Sequence, residues 1–125
     1  MKILGIDFGE AKVGLAVSES WLAEPLEVLR YRSLKRLLRQ LARICDEQGA
    51  EKIVIGLSEG EMAEKQRRFA GKLSAELNLP IEFEDETLTS KEAIIKMREK
   101  GKKIKDEDAV SAALILQRYL ERTGN

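Results

Sequence analysis

The sequence predicts an α/β fold with a mixed five-stranded sheet, in which three initial antiparallel strands precede parallel strands and helices cover both faces. Two observations support this prediction. The chain opens with short β-prone runs, and its later apolar runs are separated by segments whose apolar residues recur at helical spacing. The 125 residues contain no internal repeat, low-complexity segment or linker, so we expect a single domain over 1–125.

The first three elements are predicted to be strands. Residues 2–8 (KILGIDF) and 12–18 (KVGLAVS) are apolar and β-prone, and the short connection between them predicts a β-hairpin. Residues 26–31 (LEVLRY) alternate apolar and polar side chains after Pro25, which predicts a third strand.

The remaining elements alternate between helix and strand. They are a helix from the N-cap Ser33 to Gly49, a continuous apolar strand over 52–57, a helix over 61–78, a short strand over 81–83, a helix from Thr89 or Ser90 to Gly101, and a last helix over about 107–122. Antiparallel strands followed by such units match the ribonuclease-H-like architecture.

The composition narrows the chemistry that the chain can perform. The chain has 22 basic residues (Lys and Arg) and 22 acidic residues (Asp and Glu), so its net charge is zero. The net charge therefore gives no information about a nucleic-acid partner, and only local patches of charge do. Histidine is absent, which leaves carboxylates, hydroxyls, Lys or a hard metal ion for catalysis. Cys45 is the single cysteine, and no apolar run approaches the roughly 20 residues of a membrane span. We therefore expect a cytoplasmic protein without a secretory signal or membrane contact.

Asp7 is the first candidate functional residue. It lies at the end of an apolar strand, where an unpaired carboxylate is costly to bury and should therefore meet solvent or a cation. Gly5 and Gly9 flank it and let other groups approach the backbone closely. A turn-capping role before Gly9 explains the local pattern equally well.

Asp85 and Glu86 close a later strand. Adjacent residues of an extended chain face opposite sides of a sheet, so only one of the two is expected to share a site with Asp7. The alternative is that these acids favour the N-terminus of the following helix through its dipole.

Three further acids, Asp106, Glu107 and Asp108, precede the last helix, and the same capping role applies to them. In a ribonuclease-H-like fold, however, a late helix begins beside the strand that carries the first acid. Carboxylates converging from separate segments require neutralisation, and Mg²⁺ or Mn²⁺ with oxygen ligands is the natural candidate. Two such ions about 4 Å apart would support phosphodiester hydrolysis.

Two basic segments follow from the charge pattern. Residues 91–105 contain seven Lys and Arg against two Glu, and either bind a nucleic-acid backbone or form a solvated helix face. A second basic strip is interpreted as the polar side of its helix, and it consists of Arg30, Arg32, Lys35, Arg36, Arg39 and Arg43. The predicted nucleic-acid contacts are Lys12, Lys96, Arg98, Lys100, Lys102, Lys103 and Lys105.

Four stretches carry a family resemblance, namely GIDFGEAKVGLAVS (5–18), KIVIGLSEG (52–60), FEDETLTSKEA (83–93) and DAVSAALILQRYL (108–120). In this order they resemble the YqgF (RuvX) family, described as pre-16S rRNA nucleases and Holliday-junction-resolvase-like proteins. The resemblance implies a ribonuclease-H-like fold and metal-dependent phosphodiester hydrolysis. It implies Asp7, Glu86 and Asp108 as catalytic residues and metal ligands, with Asp85 held in reserve for Glu86.

The sequence departs from the family pattern at three places. Glu10 and Ala11 stand where the family has Thr and a basic residue, Thr87 replaces an Arg, and Ser58 replaces a Pro. All three lie near the expected substrate path.

The leading functional hypothesis is an endonuclease that matures the 5′ end of 16S rRNA, with ribosomal particles as partners. A Holliday-junction resolvase acting on DNA and a non-catalytic RNA-binding module are the alternatives. Actin-like ATPases share the fold, but the chain is too short for their paired domains. The sequence leaves both a monomer and a homodimer open.

Overall fold

The computed structural model describes residues 1–86 and 107–124. The strands are β1 (Ile3–Phe8), β2 (Lys12–Ser18), β3 (Ala23–Arg30), β4 (Lys52–Leu57) and β5 (Ile81–Asp85). The helices are α1 (Leu34–Gln48), α2 (Gly60–Glu76) and a helix following β5 that we call α3 (Glu107–Thr123). The helix predicted from Thr89 or Ser90 to Gly101 lies outside the described residues.

The five strands form one sheet in the order β3-β2-β1-β4-β5. The first three strands pair antiparallel, whereas β4 pairs parallel with both β1 and β5. The predicted mixed sheet is confirmed. Because β1, β4 and β5 run in the same direction, their C-terminal ends meet at one edge of the sheet.

Apolar packing covers the two faces separately. On one face, Leu4 and Ile6 pack with Leu37 and Leu41 of α1 and with Phe69 of α2, among other buried residues. On the other face, α3 packs against the sheet through the buried residues Ala112, Ala113, Ile115, Leu116, Tyr119 and Leu120, which meet Ile3, Ala16 and Val54. The alternation of side chains along each strand produces these two cores, and the prediction of helices on both faces is confirmed.

Local signals explain where most elements begin and end. The hydroxyl of Ser33 accepts a hydrogen bond from the Arg36 amide at 3.3 Å, as an N-cap should, and Gly49 ends α1 in the left-handed conformation with φ 68°. The strand predicted after Pro25 begins earlier, at Ala23, with a register irregularity opposite Leu15. Pro25 is tolerated because β3 is an edge strand. Within the described residues, no helix has the length and apolar character to cross a membrane.

Candidate active site

Asp7 lies near the C-terminal end of β1, on the face that α3 covers. Ile3 packs against α3 whereas Ile6 packs with α1 and α2, and alternation along the strand places Asp7 on the side of Ile3. The Asp7 residue is half-buried. Its carboxylate therefore stands beneath the last helix, at the edge where the parallel strands end.

Glu86 is the acid that meets Asp7. It follows β5 directly, and its amide donates a hydrogen bond to the Leu57 carbonyl at 3.1 Å. Its carboxyl group lies close enough to that of Asp7 to raise the pKa of Asp7 through its charge and by hydrogen bonding. Asp85 pairs with Leu57 across the sheet, is exposed, and by alternation faces the opposite side. The structure thus brings Glu86, and not Asp85, to Asp7.

A glycine of β4 makes room for the Glu86 carboxylate. A Cβ atom on Gly56 would lie 2.8 Å from Oε2 of Glu86 and 2.5 Å from Cδ1 of Ile115. Since real Cβ atoms do not approach other atoms so closely, any larger residue at this position would displace the acid or the helix above it. Gly56 is therefore part of the site, although it carries no functional group.

A second glycine places Asp108 over the sheet. Gly14 of β2 is the cross-strand partner of Asp7, and a Cβ atom on it would lie 1.9 Å from the backbone oxygen of Asp108. The first turn of α3 consequently rests directly on β2 beside Asp7. Asp108 is close enough for its charge to act on the Asp7 carboxyl group.

Lys12 is paired with this third acid. Its Nζ atom lies 3.4 Å from Oδ2 of Asp108, and both side chains are partly exposed. Lys12 thus stands at the rim of the site, and its contact with nucleic acid stays a prediction. The other predicted contacts, Lys96, Arg98, Lys100, Lys102, Lys103 and Lys105, lie outside the described residues, as does Asp106.

The convergence of acids changes the titration of Asp7. Burial, the charge and hydrogen bond of Glu86, and the charge of Asp108 together raise the pKa of the Asp7 carboxyl from 3.8 to about 8. Burial is the largest of these causes because it removes water from the charged form. A strongly perturbed carboxyl beside other acids is typical of functional sites.

Two of the three expected ligands, Asp7 and Glu86, converge as ligands of a hard divalent cation would. Asp7, Glu86 and Asp108 offer carboxylate oxygens, which Mg²⁺ and Mn²⁺ prefer, and the Glu86 carboxyl group lies close enough to act on that of Asp7. Over residues 1–86 and 107–124, no three acidic, His or Cys side chains form a cluster that could hold a metal ion. Asp108 contacts Lys12 instead, so Asp7 and Glu86 form the centre of the set.

A buried polar network orients Glu86. Gln66 of α2, which is 1% exposed, donates from Nε2 to Oε1 of Glu86 at 3.0 Å. The Ser58 hydroxyl donates to the same oxygen, and the Ser58 amide donates to Oε1 of Gln66 at 2.7 Å. Both residues therefore hold one oxygen of Glu86, while Gly56 packs against the other. The sequence prediction missed Gln66, whose signal was a polar residue between Ala63 and Phe69 on an otherwise apolar helix face.

Ion pairs fix β5 to α3 and thereby set the position of Glu86. Glu84 is 3% exposed, and its two oxygens lie 2.8 Å from Nε of Arg122 and 3.4 Å from Nε of Arg118. Two residues earlier, Glu82 accepts hydrogen bonds from the Tyr119 hydroxyl at 2.5 Å and from Lys52 at 2.9 Å. Alternate acids of this edge strand therefore point at α3, and Glu86 continues that series.

Solved structures of resolvases share this fold. RuvC from Thermus thermophilus matches with a TM-score of 0.68 and 17% identity, covering 99% of this chain and 97% of RuvC. The fowlpox virus resolvase in complex with Holliday junction DNA matches with a TM-score of 0.63 and 14% identity, covering all of both chains. At this identity the likeness establishes the fold alone, which is the ribonuclease-H-like fold predicted from the sequence.

Closer relatives define the family. A protein of Chloroflexus aggregans is 38% identical over 135 residues, covering 98% of this chain and 95% of the relative. One of Moorella thermoacetica is 37% identical over 139 residues, covering 99% and 97%. Both bear the name "Putative pre-16S rRNA nuclease". The family model described as "RuvX: Holliday junction resolvase" matches residues 1–122, so the chain belongs to the RuvX family, a family of nucleases. The resemblance drawn from the four sequence stretches is confirmed.

Proposed function

We propose that this protein, as a single domain over 1–125, is a divalent-metal-dependent endonuclease that matures the 5′ end of 16S rRNA. The observation that carries the proposal is the convergence of the Asp7 and Glu86 carboxyl groups, with Asp108 beside them, at the C-terminal edge of the parallel strands. The names of the relatives support RNA as the substrate. On this proposal the protein acts in the cytoplasm on ribosomal particles, and Mg²⁺ or Mn²⁺ is its cofactor.

Each acid has a distinct part in the proposed mechanism. Asp7 and Glu86 would hold the metal, which supplies an activated water at neutral pH and stabilises the negative charge on the attacking and leaving oxygens. Ser58 and Gln66 fix one oxygen of Glu86, and its other oxygen lies over Gly56. Such outer contacts determine how well a carboxylate ligand is oriented.

Asp108 and Lys12 act at the rim of the site. Their ion pair at 3.4 Å holds the Asp108 carboxylate near Asp7 while part of each side chain stays in contact with solvent. An incoming phosphate would compete with Asp108 for the Lys12 ammonium group, because both are anions. We expect this exchange to free Asp108 for the metal when substrate binds.

Cleavage of a precursor 16S rRNA fragment in Mg²⁺ or Mn²⁺ tests the proposal. Asp7→Asn and Glu86→Gln should each reduce the rate by more than about a hundredfold, since changes to the partners of metal ligands already cost 10–100-fold. Asp85→Asn is the matched comparison. Because this neighbouring acid lies on the opposite face of the sheet, its substitution should reduce the cleavage rate far less. Metal-dependent cleavage that survives Asp7→Asn would rule out the assigned site.

The family description supports a second candidate, a DNA-junction resolvase. That activity requires two sites in a two-fold dimer that faces a symmetric junction. Incubating one preparation with the rRNA fragment and with a four-way DNA junction, and measuring its oligomeric state, distinguishes the two. Salt-sensitive RNA binding with no cleavage in any metal would instead identify the non-catalytic binding module.

A further inference from the structure

Five arginines line one open pocket on the side of the molecule opposite to α3. The pocket has a volume of about 820 Å³, and its walls come from the end of β3, the segment that follows it and the exposed side of α1. We call this the arginine surface, and its residues are Arg30, Arg32, Arg36, Arg39 and Arg43. All five are exposed.

The phase of α1 creates this surface. Arg36, Arg39 and Arg43 recur at spacings of three and four residues and therefore share one side of the helix, while Leu37 and Leu41 turn into the core. At a rise of 1.5 Å per residue they span about 10 Å along the helix axis. The charge pattern alone favoured an ordinary solvated helix face, but the structure adds a concave wall formed by Arg30, Arg32 and Tyr31.

The positive charge of the arginine surface is not neutralised by the described part of the chain. Only Arg43 makes an ion pair there, at 3.6 Å from Glu47, and the other four have no acidic partner among residues 1–86 and 107–124. Like charges at such spacings repel one another, so an anion bound in the pocket would relieve the repulsion. The whole chain has no net charge, so the local excess reflects segregation of charge.

Hydrogen bonds connect the arginine surface to the candidate active site. The Tyr31 amide donates to the Ala11 carbonyl at 3.1 Å, and the Tyr31 hydroxyl donates to the Gly9 carbonyl at 2.6 Å. Gly9 follows Asp7 by two residues, and Ala11 lines the pocket itself. The turn between β1 and β2 is thus shared: Asp7 lies on one side of it and the arginines on the other.

We propose that the arginine surface binds the phosphate backbone of RNA that flanks the cleavage site. This inference rests on the proposed function, since it assigns the RNA a path from the acids across the β1–β2 turn. Guanidinium groups suit the task because their planar donors match phosphate oxygens and are permanently charged. Backbone contacts of this kind supply affinity without reading sequence.

Binding without cleavage is the direct test. Anisotropy of a labelled single-stranded precursor rRNA fragment is measured in EDTA at several salt concentrations, for the wild type and for Arg36→Gln/Arg39→Gln. Each lost phosphate contact should lower the slope of log affinity against log salt by about 0.7, so the double variant should lose roughly 1.4 and bind at least roughly tenfold more weakly at 0.1 M salt. Gln keeps the helix propensity of α1, and both side chains are exposed.

Arg67→Gln is the matched control. Arg67 is another exposed helical arginine, but it lies on α2, does not line the pocket, and has no ion pair with a described residue. Its removal should leave the slope unchanged, and the single variants Arg36→Gln and Arg39→Gln should each exceed it. A double variant that retains wild-type affinity and slope would overturn the inference, while cleavage by the wild type would still support the proposed nuclease.

Two further titrations distinguish which kind of nucleic acid supplies the phosphates that the arginine surface binds. Duplex RNA and a four-way DNA junction are titrated under the same conditions. A loss that is confined to the junction would overturn the assignment to RNA. Loss of RNA binding by the arginine variants, with no cleavage by the wild type in any metal, would contradict the proposed nuclease activity and support the surface as an RNA contact.

Discussion

The acidic site and the arginine surface lie on opposite sides of the same sheet edge, and they are built in different ways. Asp7 and Glu86 are partly withdrawn from solvent, and Glu86 is held by Gln66 and Ser58. Arg36 and its neighbours are exposed and have almost no polar contacts within the described residues. Side-chain positions are therefore fixed where bond cleavage is proposed. At the arginine surface, a high density of positive charge is sufficient to bind a flexible nucleic-acid backbone.

The comparison implies that a substitution which fills the space beside the backbone should strongly reduce stability and activity at the acidic site. In Gly14→Ala, the new Cβ would meet backbone atoms of Asp108 at 1.9 and 2.2 Å, so α3 must move away from β2. We expect a loss of about 3 kcal/mol or more in the free energy of unfolding, at or beyond the upper range for overpacking, and loss of cleavage. Urea unfolding and the rRNA cleavage assay measure the two effects.

Gly71→Ala is the control for this substitution. Gly71 is an exposed helical position of α2 where an added Cβ meets nothing within 4 Å. Alanine there should stabilise the protein by up to about 1 kcal/mol, because glycine is the weaker helix former. Equal stability of the two alanine variants would show that α3 does not rest on β2 as described.

The next largest effect is expected at the network that orients Glu86. Gln66→Leu keeps the apolar packing of α2 but removes the amide contacts to Glu86 and to the Ser58 amide. We expect cleavage to fall by about 10–100-fold and half-maximal activity to require more Mg²⁺, as for other outer contacts of metal ligands. A purely structural role would lower stability but leave the metal dependence of cleavage unchanged, so metal titration at a temperature where the variant is folded decides between the two roles.

The sequence predicts the strands and helices of this molecule well, because the residues that determine where each element begins and ends are close together in the chain. The hairpin, the Ser33 cap and the left-handed Gly49 each depend on residues that are close in the chain. The division of the acids also followed from alternation, which requires Asp85 and Glu86 to face opposite sides. Which of them faces Asp7 could not be derived in this way, because it depends on the phase of β5 relative to α3.

That phase runs against the usual hydrophobic pattern. In β5 the sequence Ile81-Glu82-Phe83-Glu84-Asp85 suggests that the apolar residues point inward, yet Phe83 is 37% exposed and Glu84 is 3% exposed. Arg118 and Arg122 compensate the buried acid from a helix distant in sequence. Gln66 was missed for a related reason, since its partners lie on the loop after β4 and at the end of β5.

The last effect that we predict concerns the charge of Asp7 itself. Its pKa is raised from 3.8 to about 8 by burial and by the neighbouring acids, so the folded protein binds a proton there more tightly than the unfolded chain does. With respect to this group, the wild type should be most stable below about pH 4 and should lose stability as the pH rises towards 8. Asn at this position cannot ionise and should escape that loss.

In EDTA, therefore, Asp7→Asn should unfold at higher urea than the wild type, with a difference in the free energy of unfolding that widens from about pH 4 to a plateau near pH 8. Adding Mg²⁺ should stabilise the wild type more than the variant and narrow the gap, because binding to the folded state raises stability. A difference in stability between Asp7→Asn and the wild type that does not change with pH would mean that ionising Asp7 has no cost in the folded protein. The proposed contrast between the acidic site and the exposed arginine surface would then be wrong.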